Sequence, residues 1–167
     1  GKILAHDLRA PDTGELLAER FRVDTPRPAT PENISKKIIE IVEHFQWKGV
    51  VGCGFPTPFY QGRCKVGSNL HDDWIGVHVE QLFSEATGLP FKVINDADAA
   101  GMAEMAYGAG KDKPGLVVVI TLGTGIGSGL FLDGKLIPNT EFGHLRYKNK
   151  PFEKYAADSV RVAEELS

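Results

Sequence analysis

Residues 115–137 read GLVVVITLGTGIGSGLFLDGKLI. The first part, GLVVVITL (115–122), is dense in β-branched side chains and predicts a buried central strand. Directly after it, Gly123, Gly125, Gly127 and Gly129 alternate with Thr124, Ile126 and Ser128. A chain that gives up its side chains there either lets something approach its backbone or needs conformations closed to other residues. Successive exposed amides form an anion-binding nest, and threonine hydroxyls add donors. The spacing is neither G-x-x-x-x-G-K-[ST] nor G-x-G-x-x-G, so it indicates neither a P-loop nor a dinucleotide fold. Two readings stay open: a phosphate cradle, or a glycine-rich hairpin needing positive φ. Further on, GSGLFLDGKLI (127–137) predicts a hairpin turning at Asp133-Gly134.

Upstream lies KVINDADAAGMAEM (92–105). FKVI (91–94) predicts a short strand, followed by a helix to about Tyr107 that Gly108 and Gly110 stop. Asp96 then sits at the C-terminal edge of a strand, where open α/β sheets bind ligands. A carboxylate there can accept a hydroxyl proton during phosphoryl transfer. Asn95 offers an amide suited to sugar hydroxyls. The same residues also read as a helix cap, Asn95 or Asp96, with Asp98 in the first turn. Downstream, TEFGHLRY (140–147) carries Glu141 and His144 around Gly143. The pair can grip one polyhydroxylated ligand or decorate an ordinary surface turn. No second histidine or cysteine follows to complete a zinc set.

The rest of the chain supplies a frame. LLAERFRVD (16–24) alternates as a strand, and TPRPATP (25–31) is a loop. ENISKKIIEIVEHF (32–45) puts Ile34, Ile38, Ile41, Val42 and Phe45 on one helical face. GVVGCGF (49–55) reads as a buried strand, QGRCKVGSNLHDDW (61–74) as a polar loop, and Ile75–Thr87 as a helix capped by Gly88. A last helix is expected from about Pro151 to Leu166. Strands alternate with helices in places and form hairpins in others, which predicts a mixed-sheet α/β fold. GAGKDKPG (108–115) breaks the pattern. It suggests two lobes, residues 1–110 and 111–167.

Composition narrows the function. The 167 residues are 42% hydrophobic and 25% charged, as in ordinary globular proteins. A net charge of −3 argues against a general nucleic-acid or membrane surface. No apolar run has membrane-spanning length, and no signal-peptide pattern is present. Cys53 and Cys64 make neither a disulfide framework nor a metal cluster, so a cytoplasmic setting is expected. The chain opens at Gly1 and ends at Ser167 just after an amphipathic pattern, so both ends read as cut.

Asn95-Asp96, the glycine-rich turn and Glu141-x-Gly143-His144 occur in one order. That order, with TGELLAERFRVDTPRPATPE, GSNLHDDWIG and EKYAADSVR, resembles the ROK family of sugar kinases and repressors, and most of all its polyphosphate glucokinase branch. The resemblance implies the actin-like, ribonuclease-H-like fold. It implies phosphoryl transfer from polyphosphate, ATP or both to the 6-hydroxyl of glucose, with Mg2+ bridging donor oxygens. Asp96 would be the base and Asn95 would orient the sugar. Asn69 would approach the sugar from the N-terminal lobe, and Glu141 and His144 would hold hydroxyls near its anomeric end. Gly123, Thr124, Gly125 and Gly127 would cradle donor phosphates. Lys111, Lys113, Lys148, Lys150 and Lys154 are candidates for a polyphosphate track. The resemblance admits a homodimer and implies no zinc in this branch. It also implies an Asp-x-Gly-Gly-[ST] phosphate turn ahead of TGEL, yet residues 1–12 read GKILAHDLRAPD and lack it. An inactive fragment of the kinase, or a non-catalytic sugar-binding regulator, is the alternative expectation.

Overall fold

The computed structural model describes residues 2–5, 13, 19–66, 70–123, 125–157, 160 and 162. Strand β1 (Lys2–Ala5) pairs antiparallel with β2 (Phe21–Asp24), Ala5 opposite Phe21. β1 went unread because a four-residue KILA is too short to display a period. Helix α1 (Pro31–Phe45) begins where Thr30 Oγ1 accepts from the Asn33 amide at 3.3 Å, with proline in the first turn. It ends at Gln46, which adopts the left-handed conformation.

β3 (Val51–Phe55) follows as expected. The next stretch is more than a polar loop. It holds a small hairpin, β4 (Phe59–Tyr60) with β5 (Arg63–Cys64), and a 3₁₀ turn over Asp72–Trp74. Trp74 is completely buried, and its indole Nε1 donates to the Ala29 carbonyl at 2.7 Å. Helix α2 (Val79–Thr87) starts later than the pattern from Ile75 suggests. Residues 76 and 77 are tied to Cys64 instead: Cys64 N–H donates to Val77 O at 3.0 Å and Gly76 N–H to Cys64 O at 2.9 Å. The His78 imidazole then caps the helix through the Gln81 amide, and Gly88 closes it at φ +73°. β6 (Phe91–Asn95) pairs with β3. Ile34, Phe55, Cys64, Trp74, Val79, Phe83 and Phe91 form the core of this part. The Phe55 and Trp74 rings lie 4.7 Å apart and those of Phe83 and Phe91 5.5 Å apart.

The chain divides into two compact units, residues 1–94 and 95–167. In the second, helix α3 (Asp96–Tyr107) packs on a three-stranded antiparallel sheet in the order β7 (Leu116–Leu122), β8 (Ile126–Leu132), β9 (Lys135–Ile137). The β8–β9 turn is the expected one, with Asp133 at φ +47° and Gly134 at φ +76°. Asp133 Oδ1 also accepts from Gly115 N–H at 2.7 Å. The expectation of a buried central strand at 115–122 needs correction. Among the described residues β8 is central, while Leu116, Val118, Ile120 and Leu122 of β7 are exposed. β-Branched density reports strand propensity, not position within a sheet. Beyond the sheet come β10 (Arg146–Tyr147), β11 (Lys150–Pro151) and α4 (Glu153–Ala156), so the single helix expected from Pro151 needs correction: Pro151 is in a strand, Ala157 turns extended at φ −69° and ψ 153°, and most positions after it lie outside the described residues. No helix of the described residues is long and apolar enough to cross a membrane.

The contact between α3 and β8 depends on missing side chains. A Cβ on Gly101 would lie 2.8 Å from the fully buried Phe131 ring. A Cβ on Gly127 would meet Thr121 and, at 2.8 Å, the methyl of Ala97. Gly129 faces the Gly101 Cα and the Ala97 carbonyl, each 3.5 Å from its would-be Cβ. Gly101→Ala therefore tests the packing by sign. In an unobstructed helix the change stabilises by about 1 kcal/mol. Here overpacking should outweigh that by costing about 1–3 kcal/mol. The urea midpoint of the full-length protein should fall, and a raised midpoint would show that α3 has room to spare.

Candidate functional site

The residues singled out at 95–98 and 139–144 meet at one end of the second unit. Asn95, the last residue of β6, is buried and caps α3: its Oδ1 accepts from Ala97 N–H at 2.9 Å and from Asp98 N–H at 3.1 Å. The capping reading of Asn95 thus holds. The acceptor oxygen is committed to the helix, which leaves the amide nitrogen to face a ligand. Asp96 is exposed in the first turn, and its Oδ1 also receives Ala97 N–H, at 2.9 Å. Capping and ligand binding are compatible, because they use different atoms of neighbouring residues.

The Glu141–His144 pair is built by a 3₁₀ turn over Phe142–His144, in which His144 N–H donates to Glu141 O at 3.0 Å. Gly143 is required there, since a Cβ would collide with the Ile126 carbonyl. The His144 ring lies between two carboxylates, with Nδ1 3.7 Å from Glu141 Oε2 and Nε2 3.9 Å from Glu153 Oε1. Glu153, on α4, was not singled out from the sequence. It stands twelve positions beyond Glu141 with no motif linking them, and only the fold brings the two to one imidazole.

Burial raises the Glu141 carboxyl above the ordinary range. His144 opposes the shift, and the charges of Asp96, Asp98 and Glu153 add to it. Asp98 shifts the same way through burial, opposed by the hydrogen bond from Asn139 and reinforced by Asp96. Asp96, Asp98, Glu141 and Glu153 are thus close enough to feel one another. Asp98 is buried, whereas exposed Asp96 and half-buried Glu141 and Glu153 offer acceptors of the kind that suits a neutral ligand carrying many hydroxyls.

The glycine-rich turn resolves into two parts. Leu122 and Ile126 pair across a three-residue loop, Gly123–Gly125, in which Gly123 N–H donates to Gly125 O at 3.0 Å. Gly127 and Gly129 lie within β8, and neither takes the left-handed backbone. Their packing against α3 accounts for them without a ligand. A Cβ on Gly125 would lie 2.7 Å from Glu153 Oε2, so this loop runs beside the acidic cluster. Thr124 and Asn69 lie outside the described residues. Among the described residues no group of three or more His, Cys, Asp or Glu side chains is arranged to hold a metal ion.

A family model described as the ROK family matches residues 10–156. The chain belongs to the ROK family. It is 46% identical over 151 residues to a polyphosphate glucokinase of Mycobacterium tuberculosis, covering 90% of this chain and 57% of that one. The inorganic polyphosphate/ATP-glucomannokinase of Arthrobacter sp. strain KM superposes with a TM-score of 0.92 at 40% identity, over 99% of this chain and 68% of that one. A ROK glucokinase from Streptomyces griseus, solved with glucose and AMPPNP, gives a TM-score of 0.81 at 30% identity, over 97% and 56%. The fold is therefore that of the ROK sugar kinases, the actin-like α/β class expected above. The chain spans little more than half the length of the mycobacterial relative.

The raised Glu141 carboxyl makes a prediction about stability. Its acid is neutral in both folded and unfolded states below the ordinary glutamate range, so it carries no penalty there. As pH rises toward the raised folded value, the unfolded state loses its proton first, and stability falls. Glu141→Gln, neutral throughout, should raise the denaturation midpoint at about pH 7 and leave it nearly unchanged at about pH 3. A midpoint lowered at neutral pH would mean that the charged carboxylate stabilises the fold.

Proposed function

We propose that this chain carries the sugar-handling part of a kinase that transfers a phosphoryl group from polyphosphate, ATP or both to the 6-hydroxyl of glucose. The observation that carries the reading is the convergence of the α3 N-terminus with the Glu141–His144 turn. Similarity to a polyphosphate glucokinase and to a polyphosphate/ATP-glucomannokinase supports the substrate and donor classes.

In this reading Asp96 is the general base. The glucose O6 attacks the terminal donor phosphorus, its proton passes to an Asp96 carboxylate oxygen, and the bond to the leaving phosphate oxygen breaks. The leaving group is ADP or a polyphosphate shortened by one unit. The Asn95 amide nitrogen donates to a sugar oxygen. Glu141 accepts from sugar hydroxyls, and His144 both accepts and donates according to its tautomer. The loop Gly123–Thr124–Gly125 presents its amides to the donor. Its Gly123 amide would have to exchange the Gly125 carbonyl for a phosphate oxygen. Mg2+ entering with the donor phosphates would neutralise the charge that develops on them.

Asp96→Asn should cost about 10²–10⁴ in turnover, the typical worth of a positioned base. Glucose affinity should stay within a few-fold of wild type, since the amide keeps the shape of the carboxylate. A coupled glucose-6-phosphate assay of the full-length protein with each donor, beside calorimetric glucose binding, measures both. Wild-type protein that makes no product with either donor would overturn the reading.

A further inference from the structure

We infer that the buried carboxylate of Asp98 is a positioning residue, one that holds the loop carrying Glu141 and His144 in register with the Asp96 end of α3. An aspartate in the first turn of a helix ordinarily faces water and favours the helix dipole from outside. Asp98 does the opposite. It is 1% exposed, and its Oδ2 accepts from the Asn139 backbone N–H at 2.9 Å. Its Oδ1 is buried and has no hydrogen-bond partner among the described residues. A buried carboxyl with one oxygen unpaired is costly, so its retention calls for a reason.

The reason lies in what the single bond fixes. Asn139 sits at φ +60°, left-handed backbone that asparagine adopts more readily than most residues, at the start of the loop. Just beyond it the loop is clamped again by Ser128, which is equally buried. Ser128 Oγ donates to Thr140 O at 2.7 Å and accepts from Phe142 N–H at 3.0 Å, and Thr140 Oγ1 donates to Ser128 O at 3.2 Å. Glu141 is therefore held on both sides by β8, while Asp98 ties the preceding residue to α3. Without Asp98, the strand side of the clamp remains and the link to the helix bearing Asp96 is lost. The base and the sugar-gripping pair would then no longer share one frame.

The inference rests on the kinase reading for its consequence but not for its geometry, and the experiment separates the two. In the full-length protein, Asp98→Ala should raise the KM for glucose about tenfold or more, the scale of a lost hydrogen bond to a charged group. The KM for the phosphoryl donor should stay within about twofold, because the donor loop is not on the tethered segment. Asp98→Asn keeps an oxygen acceptor for Asn139 N–H and should restore most of the glucose affinity. Hydrogen exchange over residues 138–145 should accelerate in Asp98→Ala and stay near wild type in Asp98→Asn. Should Asp98→Ala fail to fold, Ser128→Ala tests the other clamp. It should raise glucose KM and speed exchange at the same residues. Glucose and donor KM rising together, unchanged exchange at 138–145, or an asparagine variant as impaired as alanine would overturn the positioning role. Wild-type protein without glucokinase activity would sink the kinase reading alone, and the exchange data would still decide whether Asp98 holds the loop.

Discussion

Helix α3 can lie against β8 only because three Cβ atoms are missing between them. Gly101 on the helix and Gly127 and Gly129 on the strand leave a surface that Ala97, Thr121 and the Phe131 ring fill. Everything at the candidate site follows from that closeness. The helix N-terminus comes to the same level as the residues after β9, so the Asp98 carboxylate can reach a backbone amide in the loop. Ser128, the residue between the two packing glycines, is buried with them and spends its hydroxyl on that loop. A separation wider by one methyl group would break the Asp98 bond.

The electrostatic consequence is a division of labour. Glu141 and Glu153 flank the His144 imidazole, and burial, reinforced by the charges of Asp96, Asp98 and Glu153, holds the Glu141 carboxyl above its ordinary range. In the proposed reading such a set of acceptors repels phosphate and receives hydroxyl donors, which suits the neutral partner of a phosphoryl transfer. In the same reading the anionic partner needs donors instead, which the backbone amides of Gly123 and Gly125 would supply. The Gly123–Gly125 loop lies next to Glu153, so the two environments meet over a short distance.

What the sequence disclosed was whatever is written in consecutive residues. The Asp133-Gly134 turn, the Gly88 stop and the Asn95-Asp96 step from strand to helix depend on neighbours a few positions apart, and each was legible. Trp74 was hidden inside a polar-looking loop because its partner, the Ala29 carbonyl, is 45 residues away. Asp98 looked like an ordinary first-turn acid because burial is decided by β8 and residue 139, not by its neighbours. Glu153 stood in the EKYAADSVR stretch that carried the family resemblance, yet nothing in it pointed to the site. The exposed stripe of β7 misled in the other direction, since alternating Val and Ile residues look the same at the centre of a sheet and at its margin.

The glycine-rich stretch shows why composition alone overstates a ligand site. Gly127 and Gly129 match the loop glycines in type and spacing, yet they stand inside a paired strand with their missing side chains replaced by α3. Gly123 and Gly125 close a turn in which the Gly123 amide donates to the Gly125 carbonyl. Four similar residues therefore answer two constraints, close packing and backbone access. In the proposed reading only those at the turn would meet phosphate. The two constraints are linked in one strand: the packing half fixes β8 against α3, and β8 in turn holds the hairpin end where a donor would have to meet the base.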